Sequence, residues 1–271
     1  MRKLLSGLLF AVSGLAGTAV FLAPFFWPQL TQSANPTTTP LLTSLLLVIC
    51  LVVLLLELQG EAISARVVAM LGMLVAITAV LRFLEVAFPG PGGFSPIFAP
   101  ILLAGYVFGA RFGFLMGALT LLVSALVTGG VGPWLPYQMF AAGWVGLTAA
   151  WLPHPDSTRR QVFWLSIAGL VWGFLYGLIM NLYFWPFFNG DAALSWQAGV
   201  GWRDTLSRYV AFYLVTSLVW DAGRALGNVA LIGLLGAPVI HIFTRFQRRM
   251  MFQYVDKMAE REVVRADSTT D

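Results

Sequence analysis

Long, uninterrupted apolar runs dominate this chain and restrict it to one class of fold. Each run is close to the roughly 20 residues that a helix needs to cross the hydrocarbon core of a bilayer. Backbone groups in lipid must be satisfied within their own segment, and no alternating strand pattern occurs, so each run is predicted to be helical. Apolar residues make up 59% of the 271 residues and charged residues only 10%. The sequence therefore predicts an all-α, polytopic integral membrane helical bundle.

Turn-forming segments divide these runs into eight predicted transmembrane helices. The breaks are a polar stretch at 31–40, PGPGG at 89–93, GGVGP at 129–133 and PHPD at 153–156, all of them typical turn chemistry. The predicted spans cover residues 4–27, 41–58, 66–87, 94–109, 112–128, 135–152, 162–184 and 209–235. The first span begins like a signal peptide, but its apolar stretch continues to Trp27. A retained span is therefore predicted rather than a cleaved one.

The spans suggest three regions. Residues 1–60 are predicted to be an N-terminal two-helix transmembrane appendage, because their membrane portions carry no charge and few polar groups. Residues 61–245 are predicted to form a six-helix membrane core that contains the functional candidates. Residues 246–271 are predicted to be a basic, amphipathic cytoplasmic tail that anionic lipid holds at the membrane surface.

Basic residues are distributed unequally between the two predicted membrane faces. The face opposite the termini holds only Arg82, Arg203 and Arg208. The face with both termini holds most of the others, namely Arg2, Lys3, Arg66, Arg111, Arg159, Arg160, Arg245, Arg248, Arg249, Lys257, Arg261 and Arg265. Cytoplasmic loops carry the excess of Lys and Arg, so both termini are predicted to be cytoplasmic.

Several function classes find no support in the sequence. Cys50 is the only cysteine, and the two histidines, His154 and His241, lie far apart, so no disulfide framework or metal centre is predicted. The net charge of +4 comes from basic residues at the cytoplasmic face and does not indicate nucleic-acid binding. No ATP-binding loop of the GxxxxGK[ST] type and no hydrolase motif occurs. No cofactor is predicted, and no catalytic residue.

A stripe of small residues follows one face of the third predicted span. Its members are spaced by four, three, four and three residues, which keeps them on one side of a helix; they are Ala65, Ala69, Gly72, Ala76 and Ala79. In lipid, small residues let a second helix approach closely. Taken alone, the stripe favours packing within the protein over docking of a partner's helices.

Polar residues near the predicted outer face form a second group of candidates. Arg82 and Glu85 are an i,i+3 pair that suits either an interface anchor or the rim of a site. The segment GGVGPWLPYQ combines backbone freedom with Trp134, Tyr137 and Gln138. Such flat apolar faces with hydrogen-bonding groups suit a ring-bearing ligand, although an interfacial aromatic belt has a similar composition.

The last two predicted spans carry the remaining candidates. The seventh ends with Asn181 and Tyr183. The loop that follows it is long, and long loops often act as lids over a site. The last contains VWDAGRALGN, in which Asp221, Arg224 and Asn228 share one helical face. A charged pair near mid-membrane is costly unless it is paired and faces inward. It indicates either a functional site or a structural ion pair that fixes this helix to its neighbours.

Three of these segments together resemble the substrate-specific S-components of energy-coupling factor (ECF) transporters. They are the small-residue stripe followed by Leu81-Arg82, the segment GPWLPYQMFAAGWVG, and DAGRALGN with the later GAPVIHIFTRFQRR. The resemblance covers about residues 65–250, which is six of the eight predicted spans. It implies a six-helix subunit that binds a vitamin or vitamin precursor from the outer face. The pattern is nearest to the cobalamin-type members, while riboflavin or a thiamin precursor remains open.

The resemblance also implies partners and site residues. The partners are a transmembrane coupling subunit and two ABC ATPases; the stripe residues Ala65, Ala69, Gly72 and Ala76 would dock on the coupling subunit. The ligand pocket would be formed by Arg82, Trp134, Tyr137, Gln138, Asn181, Tyr183, Tyr213, Asp221, Arg224 and Asn228. The two N-terminal spans lie outside the six-helix pattern.

Two other classes of function compete with this interpretation. A stand-alone ion-coupled transporter would use Asp221 and Arg224 as its relay, but many such transporters are built from internal repeats, and none is evident. A membrane-embedded enzyme would need a second acid, base or metal ligand beside Asp221, which the sequence does not supply.

Overall fold

The computed structural model describes residues 65–88, 90–188 and 190–267, together with six helical positions near the N-terminus, Leu15, Thr18, Ala19, Leu22, Phe25 and Phe26. For Pro91 and residues 250–267 it describes the backbone alone. Within these residues all regular secondary structure is helical, with no strand. The predicted span 41–58 and most of the span 4–27 lie outside the described residues, so the two-helix appendage stays a prediction.

The described residues from 65 onward contain seven α-helices. They are α1 (Ala65–Ala87), α2 (Phe98–Phe108), α3 (Ala110–Thr128), α4 (Leu135–Ala149), α5 (Thr158–Phe184), α6 (Trp202–Thr216) and α7 (Leu218–Asp267). Four segments are long and apolar enough to cross a membrane, namely Ala65–Ala87, Ala110–Thr128, Thr158–Phe187 and Leu218–Arg249, and α2 is a shorter apolar helix. The prediction of a multi-pass helical bundle is confirmed, whereas the count of eight spans is not.

The centre of the bundle is formed by α2, α3 and α4, which pack with their backbones in contact. A β-carbon on Gly105 of α2 or on Gly113 of α3 would overlap the backbone of Gly146 in α4. A β-carbon on Gly117 would overlap Ala142 in the same way. In lipid, this close approach is the main source of attraction between helices, and it makes these three helices a rigid frame.

A second close contact joins α5 to α7. Gly169, Gly173 and Gly177 lie one turn apart on α5, and each faces α7. Added β-carbons would meet Asn228 and Ile232 at Gly169, Ala225 at Gly173 and the Asp221 carboxylate at Gly177. The glycine row therefore brings the polar residues of α7 against the backbone of α5.

The predicted single span 209–235 is wrong in the structure. The chain divides at Ser217 into α6 and α7, and the hydroxyl of Ser217 accepts a hydrogen bond of 2.8 Å from the Asn181 side chain. Thr216 donates its hydroxyl to the carbonyl of Phe212. Neither Gly nor Pro marks the break, so the local sequence does not predict it.

The end of the predicted last span also differs. The predicted span ends at residue 235, whereas α7 continues through Pro238 to Asp267. Proline removes one backbone donor and does not by itself end a long helix, although it often does. The predicted boundary between core and tail at residue 245 therefore falls inside one helix.

Candidate functional site

An ion pair at the start of α7 is the most buried charged feature of the described chain. Arg224 Nη1 lies 2.5 Å from Asp221 Oδ1, and the side chains are 16% and 2% exposed. Arg224 also donates to the Gly173 carbonyl at 3.1 Å. The pair is thus held at the α5–α7 contact, where the missing side chain of Gly173 lets the guanidinium reach the backbone of α5.

A second ion pair lies at the end of α1. Arg82 Nη1 and Glu85 Oε1 are 2.6 Å apart, and the Ser95 hydroxyl donates to the other oxygen of Glu85 at 2.7 Å. Ser95 is 2% exposed. Both carboxylate oxygens of Glu85 are therefore satisfied by the protein, which holds the end of α1 to the loop before α2.

That loop reaches the first turns of α7 because of two glycines. Gly92 and Gly93 have positive φ angles of 60° and 74°, which favour glycine over other residues. A β-carbon on Gly93 would meet the backbone of Trp220, and Gly223 has no room for one against Gly92. The loop therefore lies directly on α7 and brings Ser95 and Phe98 into the site.

Tyr176 of α5 lies against the Asp221–Arg224 pair. The Arg224 guanidinium lies over the Tyr176 ring at 5.3 Å and over the Phe98 ring at 5.8 Å, within the range of cation–π attraction. The two rings meet edge to face at 4.7 Å. The result is an aromatic pair from α2 and α5 that covers the buried cation of α7.

Three buried side-chain atoms in this region have no close hydrogen bond within the described part of the chain. They are Asp221 Oδ2, Asn228 Oδ1 and the Tyr213 hydroxyl. Asn228 donates its amide to the Gly169 carbonyl at 3.0 Å. Buried polar groups are nearly always paired, and the Tyr213 hydroxyl and the Asp221 carboxylate face each other as partners. The Asn228 oxygen is therefore the acceptor that is left for water or for a ligand.

The residues predicted from the GPWLPYQ segment are placed unequally. Tyr137 is 7% exposed, and its ring packs on Tyr183 of α5 at 4.2 Å. Gln138 is partly buried. Trp134 is 44% exposed, and its indole N–H bonds back to Gly130 in its own loop at 3.2 Å. Trp134 therefore lies apart from the two ion pairs.

The remaining predicted residues are close to the α5–α7 contact. Asn181 bonds to Ser217 at the α6–α7 junction, one turn beyond the Asp221 pair. Residues not singled out by the sequence analysis also belong here: Ser95, Phe98, Tyr176 and the three glycines of α5. The Gly-xxx-Gly-xxx-Gly spacing of α5 was the available signal, because it marks a helix-packing face.

The residues of the small-residue stripe of α1 differ in their exposure. Ala65, Ala69, Gly72 and Ala76 are exposed, whereas Ala79 is 4% exposed and packs into the core. A β-carbon added at Gly72 meets no atom within 4 Å. The described part of the chain therefore leaves the first four members of the stripe uncovered.

No group of three or more His, Cys, Asp or Glu residues that could hold a metal ion occurs among the described residues. The sequence model of the family "ECF transporter, substrate-specific component" matches residues 66–236. The chain belongs to this family. No curated protein and no solved structure matches it. The matched residues run from α1 into α7 and include every candidate ligand-binding residue.

Membership establishes the general role of the chain. It is a substrate-specific membrane subunit of an ECF transporter and a multi-pass bacterial membrane protein. Membership also implies association with an ECF coupling subunit and ATPases. The predicted N-terminal appendage precedes the matched residues.

Proposed function

We propose that this ECF substrate-specific component captures a vitamin or vitamin precursor from the outer face of the membrane. It then delivers the ligand to the coupling subunit and two ABC ATPases, and it is not itself an enzyme. The observation that carries the proposal is the buried Asp221–Arg224 pair against the Tyr176 and Phe98 rings, beside the unpaired Asn228 oxygen. Charges within a membrane bundle mark substrate pathways and sites by default.

The chemistry of this region suits an aromatic or heterocyclic ligand with hydrogen-bond donors. Phe98, Tyr176, Tyr137 and Tyr183 supply flat faces, while Asp221 and Asn228 supply acceptors. Pockets that bind small molecules combine mostly apolar walls with a few placed polar groups. Arg82, Gln138, Asn181, Tyr213 and Arg224 complete the proposed lining, with Trp134 at its margin.

Cobalamin is the favoured ligand, because the sequence pattern resembles the cobalamin-type members of the family. Riboflavin and thiamin precursors are the alternatives. The same helices would serve any of them, since ring stacking tolerates different ring systems and the placed polar groups decide between ligands.

The exposed part of the α1 stripe is the proposed docking surface for the coupling subunit. Ala65, Ala69, Gly72 and Ala76 would let a partner's helix approach the α1 backbone closely. Their exposure supports docking over the packing within the protein that the sequence alone favoured.

The orientation that this function requires follows from the basic residues. The excess of Lys and Arg on the side of both termini supports a cytoplasmic location for them. The end of α1 and the start of α7, with the two ion pairs, would then face the outside.

The direct test is thermal unfolding of the purified full-length chain against cyanocobalamin, riboflavin, thiamin and thiamin precursors. A ligand that binds only the native state adds about 2.7 kcal/mol of stability at a hundredfold excess over its dissociation constant. We expect one compound, cyanocobalamin first among them, to raise the melting temperature. A flat response to every compound would count against a vitamin-binding subunit.

A further inference from the structure

Phe25, a described residue of the first predicted span, contacts the region that follows α5. The Phe25 ring lies 6.0 Å from the Trp185 ring and 5.9 Å from the Trp196 ring, the second nearly edge to face at 88°. Both distances are within the 4.5–7 Å range of favourable aromatic pairs. Phe25 therefore packs between two indoles that follow α5 by one and twelve residues.

Trp185 joins the elements that surround the proposed ligand site. It is 2% exposed, and its indole N–H donates to the Leu194 carbonyl at 2.7 Å. Its ring packs on Tyr209 at 5.0 Å and on Phe212 at 6.4 Å, both in α6. Trp185 thus fixes the loop of residues 190–196 and α6 to the end of α5.

The 190–196 loop and α6 are further tied to each other and to α5. Arg208 of α6 donates to the carbonyl of Ala192. Tyr209 donates its hydroxyl to the Leu178 carbonyl at 2.5 Å. Since α6 also carries Tyr213, which faces Asp221, any displacement of α6 is transmitted to the polar residues of the site.

The neighbouring residue shows that Phe25 is not simply a lipid-facing aromatic. Phe26 is 72% exposed, as expected of an aromatic belt at the membrane interface. Phe25 is partly buried and placed between the two indoles instead. The matched family residues begin at 66, so this contact comes from outside the six-helix pattern.

We propose that Phe25 is a positioning residue that clamps the 190–196 loop and α6 over the ligand site. The N-terminal segment then slows the escape of bound ligand, and this part of the inference rests on the proposed function. Without the ring, Trp185 and Trp196 lose their shared partner, so the loop and α6 open more often.

Hydrogen–deuterium exchange on the full chain in lipid nanodiscs tests the clamp without any ligand. We expect Phe25→Ala to raise exchange in residues 190–216 about two- to tenfold, the range that the loss of aromatic pairs produces. Exchange in α3 and α4 should not change. Phe26→Ala is the matched control and should behave like the wild type, while Phe25→Tyr, which keeps the ring, should restore protection. Equal exchange in Phe25→Ala and Phe26→Ala would overturn the proposal.

The effect on retention is measured with cyanocobalamin as the probe. Phe25→Ala should increase its dissociation rate by a similar two- to tenfold factor, with Phe26→Ala unchanged. Faster exchange with unchanged probe release would overturn the retention role and leave the clamp as a structural contact. If the wild type binds no cyanocobalamin, the retention role fails with the assigned ligand, and the exchange experiment still decides the clamp.

Discussion

The Asp221–Arg224 pair is the feature at the residue scale on which we expect both stability and binding to depend. Asp221 is 2% exposed and has one oxygen paired with Arg224, and Tyr213 faces its carboxylate. A buried carboxylate needs its counter-charge, because water is not present to replace it. Arg224 additionally bonds to the Gly173 carbonyl and covers two aromatic rings. Removal of the guanidinium therefore leaves the Asp221 carboxylate, the Gly173 carbonyl and both rings without this partner.

We expect Arg224→Ala to lower the free energy of unfolding by about 3–5 kcal/mol, the usual cost of leaving a buried charge unpaired. It should also weaken vitamin binding. The measurement is thermal unfolding with and without ligand. Arg203→Ala is the control, because Arg203 is exposed and contacts only the Trp202 ring in the described contacts. Unchanged stability and unchanged binding in Arg224→Ala would contradict the site.

Residue spacing predicted both ion pairs but not their surroundings. The i,i+3 positions of Arg82 and Glu85, and of Asp221 and Arg224, were sufficient to place each pair on one helical face. The contact of Arg224 with Tyr176 depends on how α5 and α7 pack, which spacing within one helix does not encode. The same limit applies to Trp134. The segment that contains it has the composition of a binding site, but its indole N–H bonds to its own loop.

At the scale of helices, glycine rows decide which faces meet. Gly173 faces Ala225 of α7 so closely that a β-carbon would overlap its backbone. The Arg224 bond to the Gly173 carbonyl depends on this approach. The row was visible in the sequence, but its partner helix was not, because a small-residue face specifies close packing without specifying the neighbour.

We therefore expect Gly173→Ala to separate α5 from α7 and to cost about 1–3 kcal/mol of stability, as overpacking does. Gly233→Ala is a matched control on α7, since a β-carbon there meets no atom within 4 Å. The melting temperatures of the two variants are compared by thermal unfolding. Equal melting temperatures for the two variants would show that the α5–α7 contact tolerates a side chain.

The exposed stripe of α1 leads to a prediction about assembly with the coupling subunit. Ala69→Leu and Gly72→Leu should reduce co-purification with the coupling subunit roughly tenfold or more, since filling a close helix contact costs ~1–3 kcal/mol. Vitamin binding should be unchanged, because the stripe lies on the outside of the described bundle. Ala230→Leu makes a comparable change at an exposed position of α7 and should leave the complex intact. Retention of the complex by the stripe variants would refute the docking surface.

The division between α6 and α7 shows what the sequence could not provide. Apolar runs and glycine or proline breaks predicted the other described helices closely, since these features act within a segment. The break at Ser217 carries neither signal. The Ser217 hydroxyl at the break accepts a hydrogen bond from Asn181, 36 residues away in the sequence. Long-range contacts of this kind become visible only when the helices are assembled.

For the whole molecule, the distribution of basic residues predicts one orientation in the membrane. Ala198, in the loop before α6, and Ser157, before α5, are both exposed and lie on opposite predicted sides. In a Cys50→Ser background, Ala198→Cys should react with a membrane-impermeant maleimide on intact cells. Ser157→Cys should react only after the cells are opened. The reverse pattern would place the ion pairs on the cytoplasmic side and contradict capture from outside.

In the proposed capture of ligand, the six helices of the family pattern and the N-terminal segment act together. The helices α2, α3 and α4 pack with their backbones in contact, the α5–α7 contact holds Arg224, and α6 brings Tyr213 to Asp221. In this account the chain binds its ligand without consuming energy. The energy for release comes from the ATPases of the assembled transporter.

Reconstitution into proteoliposomes tests this account most directly. The chain is combined with its coupling subunit and two ATPases, and uptake of labelled cyanocobalamin, or of the vitamin that raises the melting temperature, is followed with ATP or with a proton gradient alone. We expect accumulation that requires ATP and all of the subunits, while the chain alone binds the vitamin without accumulating it. Accumulation by the chain alone, driven by a proton gradient, would contradict the account and indicate an ion-coupled transporter.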